Sequence, residues 1–331
     1  MIATGSEMKA IVCDRPGSPD ALNIKEIDKP VVPDDGVLVR VHASSANPVD
    51  LFPLSRIGYV SRRMKPQVLG TDFAGTVASV GKTVTQFQPG DEVFGAARGA
   101  FADYLCVAGT SQLVRKPATV TFEQAAAVPV AAITALQALR DHGRIQPGQE
   151  VLINGASGGV GTFAVQIARS FGAEVTAVCS TRNVDIVRSI GAGTVIDYTR
   201  DDFTRSGQHY DLILDIAGNH SLSECRHVLN PLGTFVGVGA AGVQYLKGGG
   251  RRALGHVVNT RFASIGGSQK VVALFIAKLN KEDLTVLQGL LEAGGVTSVI
   301  DRRYELSRVP DALHYLKEGH ARAKIAINIK T

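Results

Sequence analysis

The residues with the clearest chemical pattern form a glycine-rich run, GASGGVG, from Gly155 to Gly161. The run follows the apolar stretch Val151–Ile153 and opens a helical pattern, which is the context in which such a run binds a dinucleotide. Gly158 would let the backbone approach a pyrophosphate, and Gly161 would let the helix pack closely on the strand. A glycine-rich turn without a ligand is the alternative, but the strand–helix units around the run favour the dinucleotide. The predicted contacts within it are Ala156, Ser157, Gly158, Gly159 and Val160.

The end of the next strand indicates which dinucleotide to expect. An NAD site needs Asp or Glu there to bind the ribose 2′-hydroxyl, and Val175–Cys179 is followed by no acid. Ser180 could donate to a 2′-phosphate and Arg182 could pair with it, although a loop arginine is often only solvated. The sequence therefore predicts NADPH. Further cofactor contacts are predicted at the ends of later strands, at Tyr198, Ala217, Val238 and Gly239.

The composition of the 331 residues, 45% hydrophobic and 20% charged, excludes disordered and fibrous proteins. The net charge is +5. The densest basic group, Lys247 with Arg251 and Arg252, is too small for a nucleic-acid surface, so no nucleic-acid partner is expected. The four cysteines form no Cys-x-x-Cys pair, which argues against a disulfide scaffold or a cysteine-rich zinc site. With no membrane-length apolar run and no secretory signal pattern, the sequence predicts a cytoplasmic protein without a membrane span.

The pattern of the chain changes near Ala127. Before it, short β-like runs such as Val37–Val41 and Phe73–Val80 are separated by Pro and Gly, which is typical of a small barrel or sandwich. After it, short apolar runs alternate with helical segments, which indicates parallel β–α–β units.

The tail past Gly267 carries two helical patterns, Val271–Leu279 and Leu284–Ala293, and a closing strand pattern at Lys324–Ile329. In the simplest arrangement, this closing strand returns to the N-terminal barrel. We therefore predict a discontinuous outer domain, residues 1–127 and 268–331, around an inner doubly wound domain, residues 128–267.

A series of motifs resembles the medium-chain dehydrogenase/reductase superfamily, and the resemblance covers essentially Met8 to the C-terminus. The motifs are Asn47–Asp50, Leu69–Gly75, Gln88–Val93, Pro129–Ala135, Gly155–Gly161 and His320–Ile325. The resemblance implies an α/β protein with a GroES-like β-barrel catalytic domain and a doubly wound parallel, Rossmann-type domain that binds the nucleotide. It also implies a homodimer.

Zinc alcohol dehydrogenases of this superfamily place a cysteine where Asp50 stands and Gly-His-Glu where Gly70-Thr71-Asp72 stands. This chain has neither pattern and lacks their four-cysteine lobe, so no metal is expected. Without a metal to polarise an isolated ketone, the acceptor must already be activated, as in a quinone or an α,β-unsaturated carbonyl. Zinc-free members of the superfamily are quinone oxidoreductases and enone or alkenal reductases. The chain looks most like their plastid-envelope branch, a resemblance carried by Asn47–Asp50, Thr176–Asn183 and Val195–Tyr198.

The resemblance implies hydride transfer from the nicotinamide to the acceptor and suggests residues for it. Asn47 could hydrogen-bond the substrate oxygen or the nicotinamide ribose. Tyr59 could polarise the carbonyl and relay a proton, or simply pack in its loop. Asp50 could orient the ribose or a loop, or only cap its turn. Thr134 and Lys324 match family positions near the cofactor, although Thr134 could lie inside an apolar helix and Lys324 could be solvated.

Two other functions are compatible with the same predicted fold. A 2-enoyl thioester reductase would need a basic patch for a phosphopantetheine arm, for which Lys247, Arg251 and Arg252 are the candidates. An NADPH-sensing or RNA-binding protein would turn over acceptors only incidentally. A hydrolase is not expected, because the chain has no Gly-x-Ser-x-Gly elbow.

Overall fold

A computed structural model describes residues 7–55, 58, 67–108, 112–238, 268–319 and 321–329. Contacts divide the chain into two units. The first unit comprises Met1–Val130, Leu279–Gly294 and Ser298–Thr331, and the second comprises Ala131–Lys278 and Gly295–Thr297. Each is described by itself below.

The first unit contains two sheets. Its strands are β1 (Glu7–Cys13), β2 (Asn23–Asp28), β3 (Gly36–Ala46), β4 (Gln67–Val68), β5 (Asp72–Val80), β6 (Glu92–Ala96), β7 (Tyr104–Ala108), β8 (Leu113–Arg115), β15 (Ile300–Glu305) and β16 (Lys324–Asn328). One sheet has the order β2-β1-β4, and the other has the order β15-β16-β3-β5-β6-β8, with β7 also paired to β3. Apart from the parallel β15–β16 pair, the described pairings of this unit are antiparallel.

Strand β16 is the structural link between the two ends of the first unit's chain. It pairs antiparallel with β3, so that Ile325 lies opposite Ala46 and Ile327 opposite Ser44. The buried side chains of β16 join a core with those of β3 and β5, including Val39 and Phe73. The predicted return of the closing strand to the N-terminal barrel is therefore confirmed.

The second unit is built on one six-stranded sheet whose described pairings are all parallel. Its strands are β9 (Glu150–Asn154), β10 (Glu174–Cys179), β11 (Thr194–Asp197), β12 (Tyr210–Asp215), β13 (Leu229–Val238) and β14 (Lys270–Phe275). Their order is β11-β10-β9-β12-β13-β14, so the strand order reverses between β9 and β12. This is the doubly wound nucleotide-binding order, and ligands bind such sheets at the carboxyl ends of the strands beside the reversal. The predicted fold class is confirmed.

The α-helices follow local sequence signals. They are α1 (Phe122–Ala126), α2 (Pro129–Gln137), α3 (Gly159–Ser170), α4 (Val184–Ser189), α5 (Leu222–His227), α6 (Lys281–Glu292) and α7 (Val309–Glu318). Thr121 and Gln124 form a capping box at the start of α1, and Ser221 and Glu224 do so for α5. Gly319 ends α7 in the left-handed conformation, with φ 76°. No helix among the described ranges combines the length and apolar character that a bilayer crossing requires.

The predicted helix over Val271–Leu279 is wrong. Residues Lys270–Phe275 form β14, whose Val272 pairs with Val236 of β13. A short continuous apolar run suits a buried strand or a buried helix equally well, and only the open edge of β13 selects the strand. Strand β14 consequently belongs to the second unit, whereas the predicted boundary at residue 268 assigns it to the outer domain.

Candidate active site

The glycine-rich run lies where strand β9 passes into helix α3. Gly155 turns the chain with φ 90°, and Gly158 is the extended N-cap of the helix. A Cβ atom on Gly161 would lie 2.2 Å from the carbonyl oxygen of Gly155, so only glycine permits this approach of helix to strand. A Cβ atom on Gly158 would meet only that same oxygen, at 3.4 Å. Packing within the protein therefore requires a glycine at 161 but does not require one at 158.

The start of α3 fits the pyrophosphate of a dinucleotide. The first N–H groups of any helix have no intrahelical acceptor, and Gly158 supplies no side chain to cap those of Gly159, Val160 and Gly161. Because Gly158 has no Cβ atom, there is also space beside these N–H groups. Ala156, in contrast, is buried and its N–H already donates to the carbonyl of Val178 at 3.0 Å.

Asn183 connects the glycine-rich run to the end of β10, a contact that the sequence analysis missed. Its amide Nδ2 donates to Ser157 Oγ at 3.0 Å and to Ser180 Oγ at 3.2 Å. The side chain is 5% exposed, and its Oδ1 has no hydrogen-bond partner. A buried acceptor without a donor is costly unless a ligand or water supplies one, so this corner also fits a bound polar group. Its sequence signal is an Asn three residues after Ser180.

The turn after β10 carries the predicted 2′-phosphate residues. Arg182 is exposed on the short 3-10 turn Thr181–Asn183, and Tyr198 is 56% exposed just after β11. Asp197, at the end of β11, accepts a hydrogen bond from Thr181 Oγ1 at 2.6 Å, and this bond holds the pKa of that carboxyl below its usual value. The end of β10 itself carries no acid, as predicted.

The carboxyl ends of β9 and β12 are joined by buried side chains. Asp215 Oδ1 accepts from Asn154 Nδ2 at 2.9 Å and from the N–H of Gly218 at 2.8 Å. These bonds hold the loop that contains Ala217, a predicted cofactor contact, which is half-buried. Val238 is buried at the end of β13, Thr134 is half-buried in α2, and Gly239 lies outside the described residues.

In the first unit, four polar side chains form a buried network: Asn47, Asp50, Asp72 and Lys324, which are 2%, 3%, 0% and 2% exposed. Lys324 Nζ donates to Asn47 Oδ1 at 2.6 Å and pairs with Asp72 Oδ2 at 3.4 Å. Asn47 Nδ2 donates to Asp72 Oδ2 at 2.8 Å. The network thus brings together Asn47, Asp50 and Lys324, which the sequence analysis proposed separately, and adds Asp72.

The backbone positions the network from three places in the chain. The N–H of Asn47 donates to Asp50 Oδ2 at 2.8 Å, because a seven-residue 3-10 helix, Pro48–Leu54, begins there. Asp72 opens β5, and its Oδ1 accepts from the N–H of Val130 at 2.9 Å. Lys324 follows Ala323, whose φ of 67° is a left-handed conformation that alanine rarely adopts. Such strained positions are found most often at functional sites.

Burial governs the electrostatics of this network. Removal from water raises the pKa of Asp50 to about 7, and the nearby Asp72 charge adds to the rise, while Asn47, Thr71 and Lys324 oppose it. Burial also lowers the pKa of Lys324, against the attraction of Asp72 and Asp50. Both shifts favour the uncharged form of the group, as expected where water is excluded.

The network does not fit a zinc ion. The Asp50 oxygens accept hydrogen bonds from Asn47 and Thr71, and an Asp72 oxygen accepts one from Val130. The Lys324 ammonium lies 3.4 Å from Asp72 Oδ2. Zinc prefers cysteine and histidine ligands, and a cation would repel that ammonium. Across the described ranges, no three His, Cys, Asp or Glu side chains lie close enough together to bind a metal ion.

Beside the network the first unit has a cavity of about 260 Å³. Its polar lining includes Asp50, Thr71, Arg98 and Gln112, and its apolar lining includes Val49, Pro53, Val68, Leu69 and Leu279. An apolar pocket with a few polar groups suits a small organic molecule. Tyr59, proposed as a proton relay, lies outside the described residues.

Comparison with known proteins agrees with this architecture. Residues 33–138 match the family model of the alcohol dehydrogenase GroES-like domain, and residues 190–327 match that of the zinc-binding dehydrogenases. The mouse protein "NAD(P)H oxidoreductase RTN4IP1, mitochondrial" is 32% identical, with 99% of this chain and 90% of the relative covered. The 2-methylene-furan-3-one reductase of Solanum lycopersicum is 32% identical, with 99% and 80% covered.

A solved structure shows the same likeness. The quinone oxidoreductase of Coxiella burnetii superposes with a TM-score of 0.85 at 28% identity, with 98% of this chain and 100% of that one covered. The relatives are named as an NAD(P)H oxidoreductase, a furanone reductase and a quinone oxidoreductase. Asp50 and Asp72 belong to the two motifs in which zinc enzymes of the superfamily carry Cys and Gly-His-Glu. The chain is therefore an NAD(P)H-dependent oxidoreductase and belongs to the zinc-free, quinone-oxidoreductase-like branch of the medium-chain dehydrogenase/reductase superfamily.

Proposed function

We propose that this chain is an NADPH-dependent reductase that transfers a hydride to activated carbonyl compounds, namely quinones and α,β-unsaturated aldehydes or ketones. The observation that carries this proposal is the buried Asn47–Asp50–Asp72–Lys324 network, which includes residues of the two motifs where zinc enzymes of the superfamily carry Cys and Gly-His-Glu. The network supplies hydrogen bonds and a proton but no Lewis acid, so the acceptor must be electrophilic by itself. The quinone and furanone named for its relatives are acceptors of this kind.

The choice of NADPH over NADH rests on the end of β10. Ser180 and Arg182 follow this strand where an NAD enzyme would place an acid, and their side chains are suited to a 2′-phosphate. Asp197 lies on the neighbouring strand, but its carboxylate is engaged by the hydroxyls of Thr181 and Thr199. It is therefore less available to a ribose 2′-hydroxyl than a free acid would be.

The roles of the individual residues form part of the proposal. In the glycine-rich run, the N–H groups of Gly159 and Val160 hold the pyrophosphate, while Ser157 and Asn183 complete that corner. Ala217, Val238 and Tyr198, at the carboxyl ends of strands, contact the cofactor together with Thr134 of α2. Bound there, the cofactor supplies the hydride, and Asn47 and Asp50 act toward the acceptor. Lys324 orients Asn47 through the 2.6 Å hydrogen bond and is a positioning residue in this scheme.

The test is steady-state oxidation of NADPH and of NADH with naphthoquinones, short 2-alkenals and a 2-enoyl thioester. We expect turnover of quinones or alkenals with a strong preference for NADPH. The double variant Ser180→Ala, Arg182→Ala should raise the KM for NADPH at least tenfold and leave that for NADH unchanged. Arg188→Ala, which removes another exposed arginine from helix α4, is the matched control and should change neither.

Two results would contradict the proposal. A strict requirement for the thioester, with rates that depend on chain length, would favour the 2-enoyl thioester reductase. Binding of NADPH without turnover of any acceptor would favour a sensing or binding role.

Other expectations also remain proposals. These are a homodimer, a cytoplasmic location, the absence of a nucleic-acid partner, and an inner domain near residues 128–267 that binds NADPH. Sedimentation with and without NADPH would test the first of them.

A further inference from the structure

The hydroxyl of Thr71 connects the buried Asp50 carboxyl to the cavity of the first unit. Thr71 Oγ1 lies 2.8 Å from Asp50 Oδ1, and both residues line the cavity. Asp50 is almost completely buried, whereas Thr71 is only partly so. A molecule in the cavity would therefore meet the threonine hydroxyl as well as the acid.

The two oxygens of Asp50 have different partners. Oδ2 accepts from the backbone N–H of Asn47 at 2.8 Å, and an N–H group can only donate, so Oδ2 must remain an acceptor. A proton on Asp50 therefore resides on Oδ1, toward Thr71. A hydroxyl can accept and donate at the same time. Thr71 can thus accept from Oδ1–H while its own proton turns toward the cavity.

The groups that face Asp50 favour a proton there at neutral pH. Burial is the main cause of its pKa of about 7; Asp72 raises it further, and the hydrogen bonds of Asn47 and Thr71 and the charge of Lys324 lower it. The Lys324 ammonium is directed to Asn47 and Asp72 rather than to the cavity. An acid that is half-protonated near pH 7 can both give and regain a proton under ordinary conditions.

We propose that Asp50 and Thr71 form the proton relay of the reduction, in which the Thr71 hydroxyl donates the proton to the acceptor. This inference rests on the proposed function. The nicotinamide of NADPH gives a hydride, with its two electrons, to the electrophilic carbon of the acceptor and becomes NADP⁺. The resulting oxyanion takes the Thr71 hydroxyl proton, and Thr71 takes the proton of Asp50 Oδ1. The Asp50 carboxylate then takes up one proton from the solvent, so each turnover consumes one hydride and one solvent proton.

The experiment compares Thr71→Val, Thr71→Ser and Asp50→Asn with the wild-type protein. Valine has the shape of threonine without the hydroxyl, and serine keeps the hydroxyl. Single-turnover oxidation of bound NADPH by a naphthoquinone and by a 2-alkenal is followed from pH 5.5 to pH 9 in H₂O and in D₂O. NADPH binding and thermal unfolding are measured for each variant as controls.

We expect Thr71→Val to lower the rate of acceptor reduction by about 10²-fold, the usual contribution of a positioned acid, with NADPH affinity unchanged. Thr71→Ser should keep most of the rate and the wild-type pH profile. The wild-type rate should fall as the pH rises through about 7, because the donor loses its proton, and Asp50→Asn should be slow and independent of pH in this range. The solvent isotope effect should be larger in the wild type than in Asp50→Asn.

The proposal is overturned if Thr71→Val retains the wild-type rate and pH profile. It is equally overturned if Asp50→Asn shows the same pH dependence as the wild type, and this second comparison can refute the relay even if Thr71→Val does not fold. A wild-type protein that binds NADPH and reduces no acceptor would instead overturn the proposed function, so the two failures are distinguishable.

Discussion

Lys324 Nζ donates to Asn47 Oδ1 at 2.6 Å, across 277 positions of the sequence. The same ammonium pairs with Asp72 at 3.4 Å, and all three residues are buried. The hydrogen bond joins the C-terminal strand β16 to the turn that follows β3. One buried cation therefore links the closing strand of the first unit to the proposed catalytic residues.

Substitution of Lys324 by methionine should destabilise the protein by about 3–5 kcal/mol, because it leaves the Asp72 carboxylate buried without its cation. The measurement is urea unfolding at pH 7. The double variant Lys324→Met, Asp72→Asn should lose less than the sum of the two single changes, because the buried charge is gone. Lys82→Met, which removes an 89% exposed lysine, is the control and should change stability by less than about 0.5 kcal/mol. Additive losses in the double variant would contradict the coupling.

Two glycines of the glycine-rich run should respond differently to alanine. Gly161→Ala would place Cβ 2.2 Å from the carbonyl oxygen of Gly155, and we expect a loss of about 1–3 kcal/mol or more in unfolding free energy. In Gly158→Ala the added Cβ would lie near only one atom, at 3.4 Å, and alanine readily adopts the Gly158 φ of −81°. It should fold normally but weaken NADPH binding at least about tenfold, or 1.4 kcal/mol, in a fluorescence titration. Normal NADPH affinity in Gly158→Ala would argue against a pyrophosphate at this helix start.

Asp50 should make the stability of the protein depend on pH. Its folded pKa of about 7 lies above the usual value, so the unfolded chain ionises first as the pH rises, and the folded state becomes relatively less stable between about pH 4 and pH 7. The loss should be at most about 4 kcal/mol. In Asp50→Asn this part of the pH dependence should disappear, while Asp72 and Lys324 remain the same in both proteins. Chemical unfolding at several pH values tests this, and parallel curves for the two proteins would refute it.

Gly289 offers a stabilising substitution outside the buried network. It lies exposed in the interior of helix α6, and an added Cβ would meet no atom within 4 Å. Gly289→Ala should raise the unfolding free energy by about 0.5–1 kcal/mol, because alanine loses less backbone freedom in a helix. Thermal unfolding would show the gain, and turnover of the acceptor should be unchanged. A decrease in stability would contradict this prediction and indicate that the added Cβ at position 289 contacts another part of the protein.

The amino-acid sequence by itself determined the features that depend on local pattern. The glycine-rich run after an apolar strand and the alternation of strands and helices specify a Rossmann-type domain, since each requires only neighbouring residues. The missing acid after Val178 is a local signal of the same kind, and it supports the proposal of NADPH. The closing strand pattern at Lys324–Ile329 likewise indicated that the C-terminal segment returns to the N-terminal barrel. Nothing in residues 271–275 could distinguish a strand from a helix, because an apolar run satisfies both.

The tertiary structure alone decided which distant side chains meet. Asn47, Asp72 and Lys324 come from three separate strands or turns, and only the pairing of β16 with β3 and of β3 with β5 brings them to one buried point. The same burial raises the pKa of Asp50, and the distant residues Thr71, Asp72 and Lys324 adjust it, so the fold has to assemble before these effects exist. Thr71 acquires its proposed role in the same way, because its hydroxyl becomes the link between that acid and the cavity only after the strands have assembled.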